Sequence, residues 1–393
     1  MSPLELQTAL ALAAAFFLRM LGLFMVVPVL ALYVDHLAGA TTFLVGLALG
    51  LYGLTQALFQ IPMGRWSDRI GRKPVITLGL TIFTLGGLVA ASAAHILAVV
   101  AGRALQGAGA VSGATLALAA DLTRPEHRTT TMAIIGVSIG VAFSLAFVIG
   151  PMIDAQFGLR GVFVGGALCG LGALGLILFA VPEAPTPRPR ETGAISTAPA
   201  AELGTLYLGV LCLHLVLAAS FVSIPVVLAH DLGLPKAQHY TIYIPVMLIS
   251  MLCVGPLIGR SSRLSFAARL FPTAIGCIGI AELLLWCTPP NRYAVGAVLT
   301  LFFIGFNFLE ASLPSRISRA APASGTGGAL GAYSTGQFVG TFIGGVSGGA
   351  VAQVFGTHGV FAAASALSLA WLLLTLRTPI SDAAAENSLS AHG

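Results

Sequence analysis

The sequence predicts an all-α membrane protein with twelve transmembrane helices in two pseudo-symmetric six-helix bundles. Three observations lead to this fold class: an apolar composition, apolar runs of membrane length, and a repeat between the two halves of the chain. Hydrophobic residues make up 57% of the 393 positions and charged residues only 8%, whereas roughly 45–50% apolar and about 25% charged residues are usual in soluble domains. We therefore expect almost the whole chain to lie in a lipid bilayer.

Apolar runs of membrane length recur along the whole chain. A helix needs about 20 residues to cross a hydrocarbon core roughly 30 Å thick, and runs of this length alternate with short charged or Pro/Gly-rich links. The first run is expected to be retained, because no Lys or Arg precedes it and Arg19 interrupts it. The expected spans are 8–33, 42–65, 74–93, 95–121, 129–154, 160–181, 203–230, 239–260, 267–287, 293–315, 326–354 and 358–377.

The basic residues indicate the orientation of these spans. The odd-numbered links hold only Arg160, Lys236 and Arg292, whereas the even-numbered links are rich in Arg and Lys. Positive residues accumulate on the cytoplasmic side of membrane proteins, so we expect the even-numbered links and both termini to be cytoplasmic. The net charge of +5 then reflects the lipid bilayer as a partner, and no nucleic-acid partner is expected.

A long polar connection divides the chain into two parts. Residues 182–202 are rich in Pro and Ala and are expected to form a cytoplasmic linker. Residues 1–181 before it are expected to form the N-terminal six-helix bundle, and residues 203–377 after it the C-terminal six-helix bundle. Residues 378–393 are expected to be a disordered cytoplasmic tail.

The two parts repeat each other in sequence. FMVVPVLALYVDHL at 24–37 matches FVSIPVVLAHDLGL at 221–234, with Phe, Pro and the following aliphatic residues in register. The ends of the second and eighth spans share a glycine and two arginines at the same spacing, but Gly259 stands where Asp68 would be. Half-repeats of this kind are typical of transporters built from two bundles.

The loop GRWSDRIGRKP at 64–74 concentrates charge in a chain that otherwise avoids it. A membrane anchor explains its cations, since each contributes about 1 kcal/mol near anionic headgroups. Pro74 is suited to the first turn of a helix. An anchor does not explain Asp68, nor the glycines at positions 64 and 71, which permit a tight turn and a close approach. We therefore favour a conformational role for the loop over a plain anchor.

Two motifs resemble those of the major facilitator superfamily. GxxxDRxGRKP after the second of twelve expected spans resembles the motif A of that family, and RxxQGxG on the fourth span resembles its motif B. Longer stretches, including LTQALFQIPMGRWSDRIGRKP and LGAYSTGQFVG, are similar to the YajR-like branch of drug/proton antiporters. The matching residues are Gly64, Asp68, Arg69, Gly71, Arg72 and Lys73 in motif A, and Arg103, Gln106 and Gly107 in motif B.

The resemblance implies a fold, a mechanism and an energy source. It implies two bundles around a central cavity that opens alternately to the two sides of a bacterial inner (cytoplasmic) membrane. The partners would be a small-molecule substrate and protons, the chain would be a monomer, and the proton gradient would supply energy without a cofactor. No metal ion is expected, because the five cysteines are scattered without metal-ligand spacing.

Motif A implies a conformational latch. Asp68 would face the N-terminus of the eleventh span, which is entered through SGTGG at 324–328, and Arg72 would reach Asp121 at the end of the fourth span. The free N–H groups at a helix start attract an anion by roughly 0.3–2 kcal/mol. A contact of that size biases a two-state equilibrium without freezing it.

The fifth span keeps only part of the motif C that is associated with antiporters. Gly150 and Pro151 are present, but Asp154 and Ala155 replace the two following glycines, which weakens the support that this motif gives to export. Asp154 is expected to be a charge at the rim. Glu282, late in the ninth span, is expected to be a solvated residue near the outer face.

Four ionisable side chains lie inside spans 1, 4, 7 and 10, apart from those at the span ends, and charge within a span is expensive and is a sign of function. Histidine changes charge near neutral pH, and an apolar environment favours the protonated form of a carboxyl group; Glu310 and His214 could therefore carry a transported proton or form a structural ion pair. Arg19 could tune a carboxylate or contact substrate, and Arg103 could act in proton coupling or in packing. The four proton-coupling candidates are Arg19, Arg103, His214 and Glu310, on spans 1, 4, 7 and 10.

Polar and aromatic residues in the spans are candidates for the substrate cavity, although amides in spans more often join helices. These candidates are Gln56, Gln60, Asn307, Tyr333, Gln337 and Phe221. With few charges, the cavity favours proton-coupled efflux of a small amphiphilic or drug-like compound. The alternative is proton-coupled or facilitative uptake of a sugar or another small metabolite. An enzyme is not expected, because HExxH, GxSxG and paired aspartates are absent from the sequence.

Overall fold

The computed structural model describes residues 1–183, 200–260, 264–287, 289, 291–320 and 326–377. Within these ranges the chain is helical and forms no β-strand, apart from an isolated bridge between Ala38 and His95. Ten helices among the described residues are long and apolar enough to cross a membrane. Most of the expected linker and the whole expected tail, residues 184–199 and 378–393, lie outside the described ranges.

The helices follow the expected order along the chain. The first begins with a capping box, in which the Ser2 hydroxyl accepts from the Glu5 N–H and the Glu5 carboxylate accepts from the Ser2 N–H. The helices of the first half are α1 Pro3–Phe24, α2 Thr42–Ile70, α3 Arg72–Ala91, α4 Ile96–Ala108, α5 Ser112–Asp121 and α6 Arg128–Phe179. Those of the second half are α7 Ala200–Val226, α8 Tyr240–Arg260, α9 Leu264–Cys287, α10 Arg292–Ala320 and α11 Thr326–Arg377.

Helices α6 and α11 each reverse direction at a glycine. Each has 52 residues, which would extend about 78 Å if straight. Gly158 has a φ of 65° and Gly356 a φ of 76°, a backbone conformation that favours glycine. A methyl group placed on Gly165 would lie 3.5 Å from Ile153 Cδ1, although twelve residues of continuous helix separate two positions by about 18 Å. The chain therefore turns back on itself within a few residues.

Two of the expected spans are interrupted. The expected span 8–33 is an α-helix only as far as Phe24, and its last turn, Leu30–Tyr33, is a 3₁₀-helix that follows Pro28. The expected span 95–121 is divided into α4 and α5 by a break that begins at Gly109. A methyl group on Gly109 would overlap the Gly79 carbonyl oxygen, so this break lies where α3 and α4 approach most closely.

The first and second halves of the chain contact each other at one end of the molecule more closely than at the other. We call the end that carries residues 64–74 and 121–128 the basic end, and the end that carries residues 34–41 and 232–239 the opposite end. Toward the opposite end, α2 packs backbone to backbone on α11. A methyl group on Gly46 would overlap the Gly345 carbonyl oxygen, and one on Gly53 would overlap that of Phe338. The two halves are therefore in direct contact there.

A cleft between the halves opens at the basic end. On the helices that border the cleft, an added methyl group on glycines near the basic end would meet nothing within 4 Å, whereas glycines of α2 and α11 nearer the opposite end are in backbone contact. The glycines near the basic end are Gly64, Gly136, Gly140, Gly328 and Gly331. The hydrophobic cores of the two halves are separate except toward the opposite end, where Phe147 of α6 is part of the core of the second half. The described conformation is closed at the opposite end and open at the basic end.

The glycine contact between α2 and α11 generates a prediction. Replacing Gly46 with Val should prevent close approach of the helices and open the opposite end, because no side chain fits between the two backbones. A cysteine introduced at the fully buried position 147, in a chain whose native cysteines are replaced by serine, should then react several times faster with a thiol reagent. Gly175→Val is the matched control, since a methyl group at Gly175 meets nothing within 4 Å. Equal reactivity in both variants would contradict the prediction.

Candidate functional site

The motif A residues form a charged cluster at the basic end, centred on Arg72. Arg72 Nη1 lies 2.5 Å from Asp68 Oδ1 and donates to Ser67 Oγ at 2.7 Å, and Arg72 Nε donates to Asp121 Oδ2 at 3.1 Å. One buried guanidinium thus joins the end of α2, the start of α3 and the end of α5. Gly71 has a φ of 102° and makes the turn between α2 and α3.

The remaining motif A residues have weaker ties. Lys73 Nζ donates to the Leu178 carbonyl oxygen at 3.2 Å, and Arg69 is exposed. Asp68 is 58% exposed and points away from the core. Its expected partner, the N-terminus of α11, includes residues 324 and 325, which lie outside the described ranges. That contact stays a prediction.

A second ion pair at the basic end joins α1 to the loop after α5. Arg124 donates to both carboxylate oxygens of Glu5, at 3.0 Å each, and the Arg124 N–H donates to Glu5 Oε1 at 3.2 Å. These hydrogen bonds raise the pKa of Arg124 above its usual range. Arg124 is exposed to solvent, whereas the Glu5 side chain is largely covered, so the pair ties the start of α1 to the loop after α5.

Arg19 is the centre of a polar network inside the first half. Its guanidinium donates to Ser112 Oγ at 3.1 Å, to Tyr52 Oη at 3.2 Å and to Gln56 Oε1 at 2.9 Å. It also lies 3.5 Å from the Gly109 carbonyl oxygen, which the break between α4 and α5 frees from the helix. Arg19 is 2% exposed, so this cation is sealed from the cleft in the described conformation.

The motif B residues pack α4 against α2. Arg103 Nη1 donates to Gln106 Oε1 at 2.9 Å, and its guanidinium lies 4.9 Å from the centre of the Tyr52 ring. A methyl group on Gly107 would overlap the Tyr52 carbonyl oxygen. Among the described residues, no carboxylate lies within 4.0 Å of either Arg19 or Arg103. The two roles considered for Arg19, tuning a carboxylate and contacting substrate, both stay predictions.

The second half holds a different network, which faces the cleft. Glu310 Oε1 accepts from Gln337 Nε2 at 2.8 Å and from Tyr333 Oη at 3.1 Å. His214 Nε2 lies 3.4 Å from Glu310 Oε2 and 3.1 Å from Gln337 Nε2. The Glu310 side chain is 35% exposed. Candidate residues for proton coupling and for the substrate cavity, from α7, α10 and α11, thus lie together in one network.

Counting hydrogens shows that this network has room for one more proton. His214 Nδ1 lies 3.0 Å from the Val210 carbonyl oxygen, so Nδ1 carries a hydrogen and Nε2 of the neutral ring has a lone pair. Glu310 Oε2 has no hydrogen-bond partner. An added proton on His214 Nε2 or on Glu310 Oε2 would form the hydrogen bond that is missing between these two atoms, once the Gln337 amide hydrogen has left the single lone pair of Nε2.

Two other cavity candidates are buried and a third is partly exposed. Gln56 is fully buried beside Arg19 and donates to Gln60 Oε1 at 3.4 Å. Asn307 donates to Ser250 Oγ on α8 at 3.2 Å. Phe221 is fully buried in an aromatic cluster that joins the halves, and its ring centre lies 4.8 Å from that of Phe147. In the described conformation Gln56 and Phe221 are buried, whereas Asn307 is partly exposed. Contact of these three side chains with substrate stays a prediction.

The motif C remnant lies in α6 shortly before its reversal at Gly158. Gly150 packs on the Met25 carbonyl oxygen, which a methyl group would overlap. Asp154 is not a solvated rim charge: it is 4% exposed, and Tyr33 Oη donates to its Oδ1 at 2.5 Å. The same Tyr33 oxygen accepts from the Leu159 N–H at 2.9 Å. One tyrosine therefore fastens both sides of the reversal at Gly158.

Glu282 also differs from its expected position. It is fully buried on α9, where Ser220 Oγ of α7 lies 2.6 Å from its Oε1. Sequence reasoning placed it near the end of a helix and therefore in solvent, but the α7 helix covers it. The described residues contain no group of three or more His, Cys, Asp or Glu side chains that could hold a metal ion.

Comparison with known proteins gives consistent matches. The family model described as Major Facilitator Superfamily matches residues 12–335. The chain is 42% identical to the inner membrane transport protein YajR of Escherichia coli (strain K12) over 387 residues, 96% of this chain and 85% of YajR. It is 29% identical over 395 residues to a protein of Deinococcus radiodurans named "Putative sugar efflux transporter", over 92% of this chain and 95% of the relative.

A solved structure has the same fold. It is a bacterial homologue of the human lysosomal transporter Spinster, in an inward-facing and occupied conformation. The TM-score is 0.80 at 15% sequence identity, over 96% of this chain and 98% of that chain. At this level of identity the likeness shows the fold alone.

The Tyr33 contacts generate a stability prediction. Tyr33→Phe should lower the free energy of unfolding by about 1–3 kcal/mol, because it leaves buried Asp154 and the Leu159 N–H without their partner. The measurement is the thermal unfolding midpoint of the purified protein. Tyr293→Phe is the control, since Tyr293 is 85% exposed and should change the midpoint little. A Tyr33→Phe midpoint equal to that of the control would refute the role given to this hydroxyl.

Proposed function

The chain belongs to the major facilitator superfamily of membrane transporters, and we propose that it exports a small amphiphilic or drug-like compound in exchange for protons. Membership of this family confirms the resemblance predicted from motifs A and B. The chain is therefore a multi-pass transporter and not an enzyme. The finer parts of the proposal concern the number of crossings, the orientation, the proton site and the cargo.

The proposed architecture is twelve crossings in two six-helix bundles, as a monomer in a bacterial inner membrane. Within the described ranges ten helices are of membrane length, and α6 and α11 each reverse once, so counting both arms of these two helices gives twelve. The positive-inside rule places the basic end and both termini in the cytoplasm. On this orientation the described conformation is open to the cytoplasm, the side from which an exporter loads its cargo.

The proton site of the proposal is the pair Glu310 and His214. The observation that carries it is the unpartnered Glu310 Oε2, 3.4 Å from His214 Nε2, in a side chain exposed to the cleft. In the unprotonated network, the Gln337 amide donates to Glu310 Oε1 and to the single lone pair of His214 Nε2, so binding of a proton at this pair displaces the hydrogen bond from Gln337 to His214. A proton that enters between Oε2 and Nε2 removes one negative charge from the cleft. Release of that proton to the cytoplasm restores the charge, and the proton gradient supplies the energy without a cofactor.

The cargo of the proposal follows from the surroundings of this pair. Toward the opposite end the network borders on aromatic rings, since the His214 and Phe306 ring centres lie 6.0 Å apart and Phe306 stacks on Phe143 at 5.9 Å. An apolar surface beside one ionisable pair suits an amphiphilic compound. The alternative is a sugar or another small metabolite, taken up or exported, which the printed name of the Deinococcus radiodurans relative favours.

The test of coupling uses proteoliposomes with an imposed pH gradient and a panel of labelled drugs and sugars. Glu310→Gln should lower gradient-driven transport at least tenfold, because the amide cannot release a proton, while counterflow without a gradient persists. Glu126→Gln, which removes an exposed acid, is the control and should transport normally. Unchanged gradient-driven flux in Glu310→Gln would remove this residue from the coupling role.

The latch of motif A is tested separately. We expect Asp68 to bind the N-terminus of α11 when the basic end closes, so Asp68→Asn should shift the population severalfold toward the open form. A cysteine at position 136, which lies in open space, should then be labelled more rapidly. Arg65→Gln, which removes an exposed charge from the same loop, should leave labelling unchanged. Identical labelling in Asp68→Asn and in the parent chain would count against the latch.

A further inference from the structure

Glu282 is a buried acid that the proposed transport cycle does not use. It lies on α9 and is fully buried. Among the described residues, no Lys, Arg or His nitrogen lies within 4.0 Å of its carboxyl oxygens. One of those oxygens, Oε2, has no hydrogen-bond partner. An ionised carboxylate enclosed in this way would lack both water and a counter-charge, which is costly.

The hydrogen bonds of Ser220 indicate which form Glu282 takes. Ser220 Oγ lies 2.8 Å from the Val216 carbonyl oxygen and 2.6 Å from Glu282 Oε1. A hydroxyl group has one hydrogen, and the Val216 carbonyl oxygen can only accept it. If that hydrogen is donated to Val216, the second short contact needs a hydrogen from Glu282. A neutral carboxyl group at position 282 satisfies both contacts at once.

Among the described residues of α7 and α9, the side chains near Glu282 provide no counter-charge for an ionised carboxylate. On α7, the nearest titratable side chain in sequence is His214, six residues before Ser220 and thus about 9 Å along the helix, and it faces Glu310. Ser223, one turn after Ser220, is fully buried and its hydroxyl has no partner. On α9 itself the titratable neighbours are the thiols of Cys277 and Cys287.

The other helices packed on α9 contribute uncharged groups near this level. From α11, Ser365 Oγ donates to the Gly279 carbonyl oxygen at 3.0 Å, and from α10 the fully buried Phe302 and Phe303 belong to the same core. Toward the opposite end, His358 Nε2 lies 2.9 Å from Asp231 Oδ2. His358 lies at the rim of a pocket that reaches Leu285, one turn beyond Glu282.

We propose that Glu282 is a second proton-binding site of this protein, which holds its proton in the described conformation and donates it in a hydrogen bond to Ser220. The site is separate from the Glu310 and His214 pair, because it lies between α7 and α9 and not in the cleft. We expect its proton to be resident, because the carboxyl group is fully buried. The neutral acid joins α9 to α7 through Ser220, the residue before the aromatic Phe221.

The test is infrared spectroscopy of the purified full-length protein at neutral pH. Wild type should show the C=O stretching band of a protonated carboxylic acid, and Glu282→Gln should lose it because the amide has the same shape without that group. Glu310→Gln is the matched control and should retain the band. A spectrum in which no protonated carboxyl band depends on Glu282 would overturn the proposal.

A second variant keeps the test decisive if Glu282→Gln does not fold. Ser220→Ala leaves the acid intact and removes the acceptor of its proton, so the band should move to higher frequency as the hydrogen bond is lost. A band that does not move would also overturn the proposal. The spectrum requires neither a cargo nor a gradient, so its outcome is independent of the transport test with Glu310→Gln.

Discussion

The close contact of α2 with α11 is the interaction on which the rest of this conformation depends. At Gly46, Gly53 and Gly345 the two backbones approach so closely that even a methyl group does not fit. Small residues are used in this way between membrane helices, because lipid provides no hydrophobic force to drive helices together and packing must supply the attraction. Because this contact joins the halves toward one end, the cleft opens toward the other, and Glu310 becomes accessible there.

The two halves place their buried polar groups differently. In the first half, Arg19 and Arg103 are sealed among hydroxyl, amide and carbonyl oxygens around Tyr52, and neither reaches open space. In the second half, Glu310 is exposed to the cleft and His214 lies beside it. The pseudo-symmetry of the chain therefore extends to the backbone, including the reversals at Gly158 and Gly356, but not to the chemistry. Arg19 and Arg103 make their hydrogen bonds within the first half, whereas Glu310 faces the cleft.

Sequence reasoning identified the features that depend on length, apolarity and local spacing. The order of the helices follows from such patterns, since each helix must be long enough to cross the bilayer. The approach of Arg72 to Asp121 was implied by the resemblance to motif A and is present in the structure. The breaks in the first and fourth spans were not predicted, because Gly109 departs from the helix only where α3 packs against it. The burial of Asp154 and Glu282 was likewise missed. Both lie near helix ends, where sequence alone predicts solvent, and their partners Tyr33 and Ser220 are distant in the chain.

The single-residue reversals have a mechanical consequence. Gly158 and Gly356 join two long helical arms with almost no intervening chain, and the Tyr33 hydroxyl braces the first of these turns from both sides. When the helical segment on one side of the glycine moves, the segment on the other side should therefore move with it, because no flexible loop separates them. Each half should therefore move as a rigid body that pivots about the contact between α2 and α11.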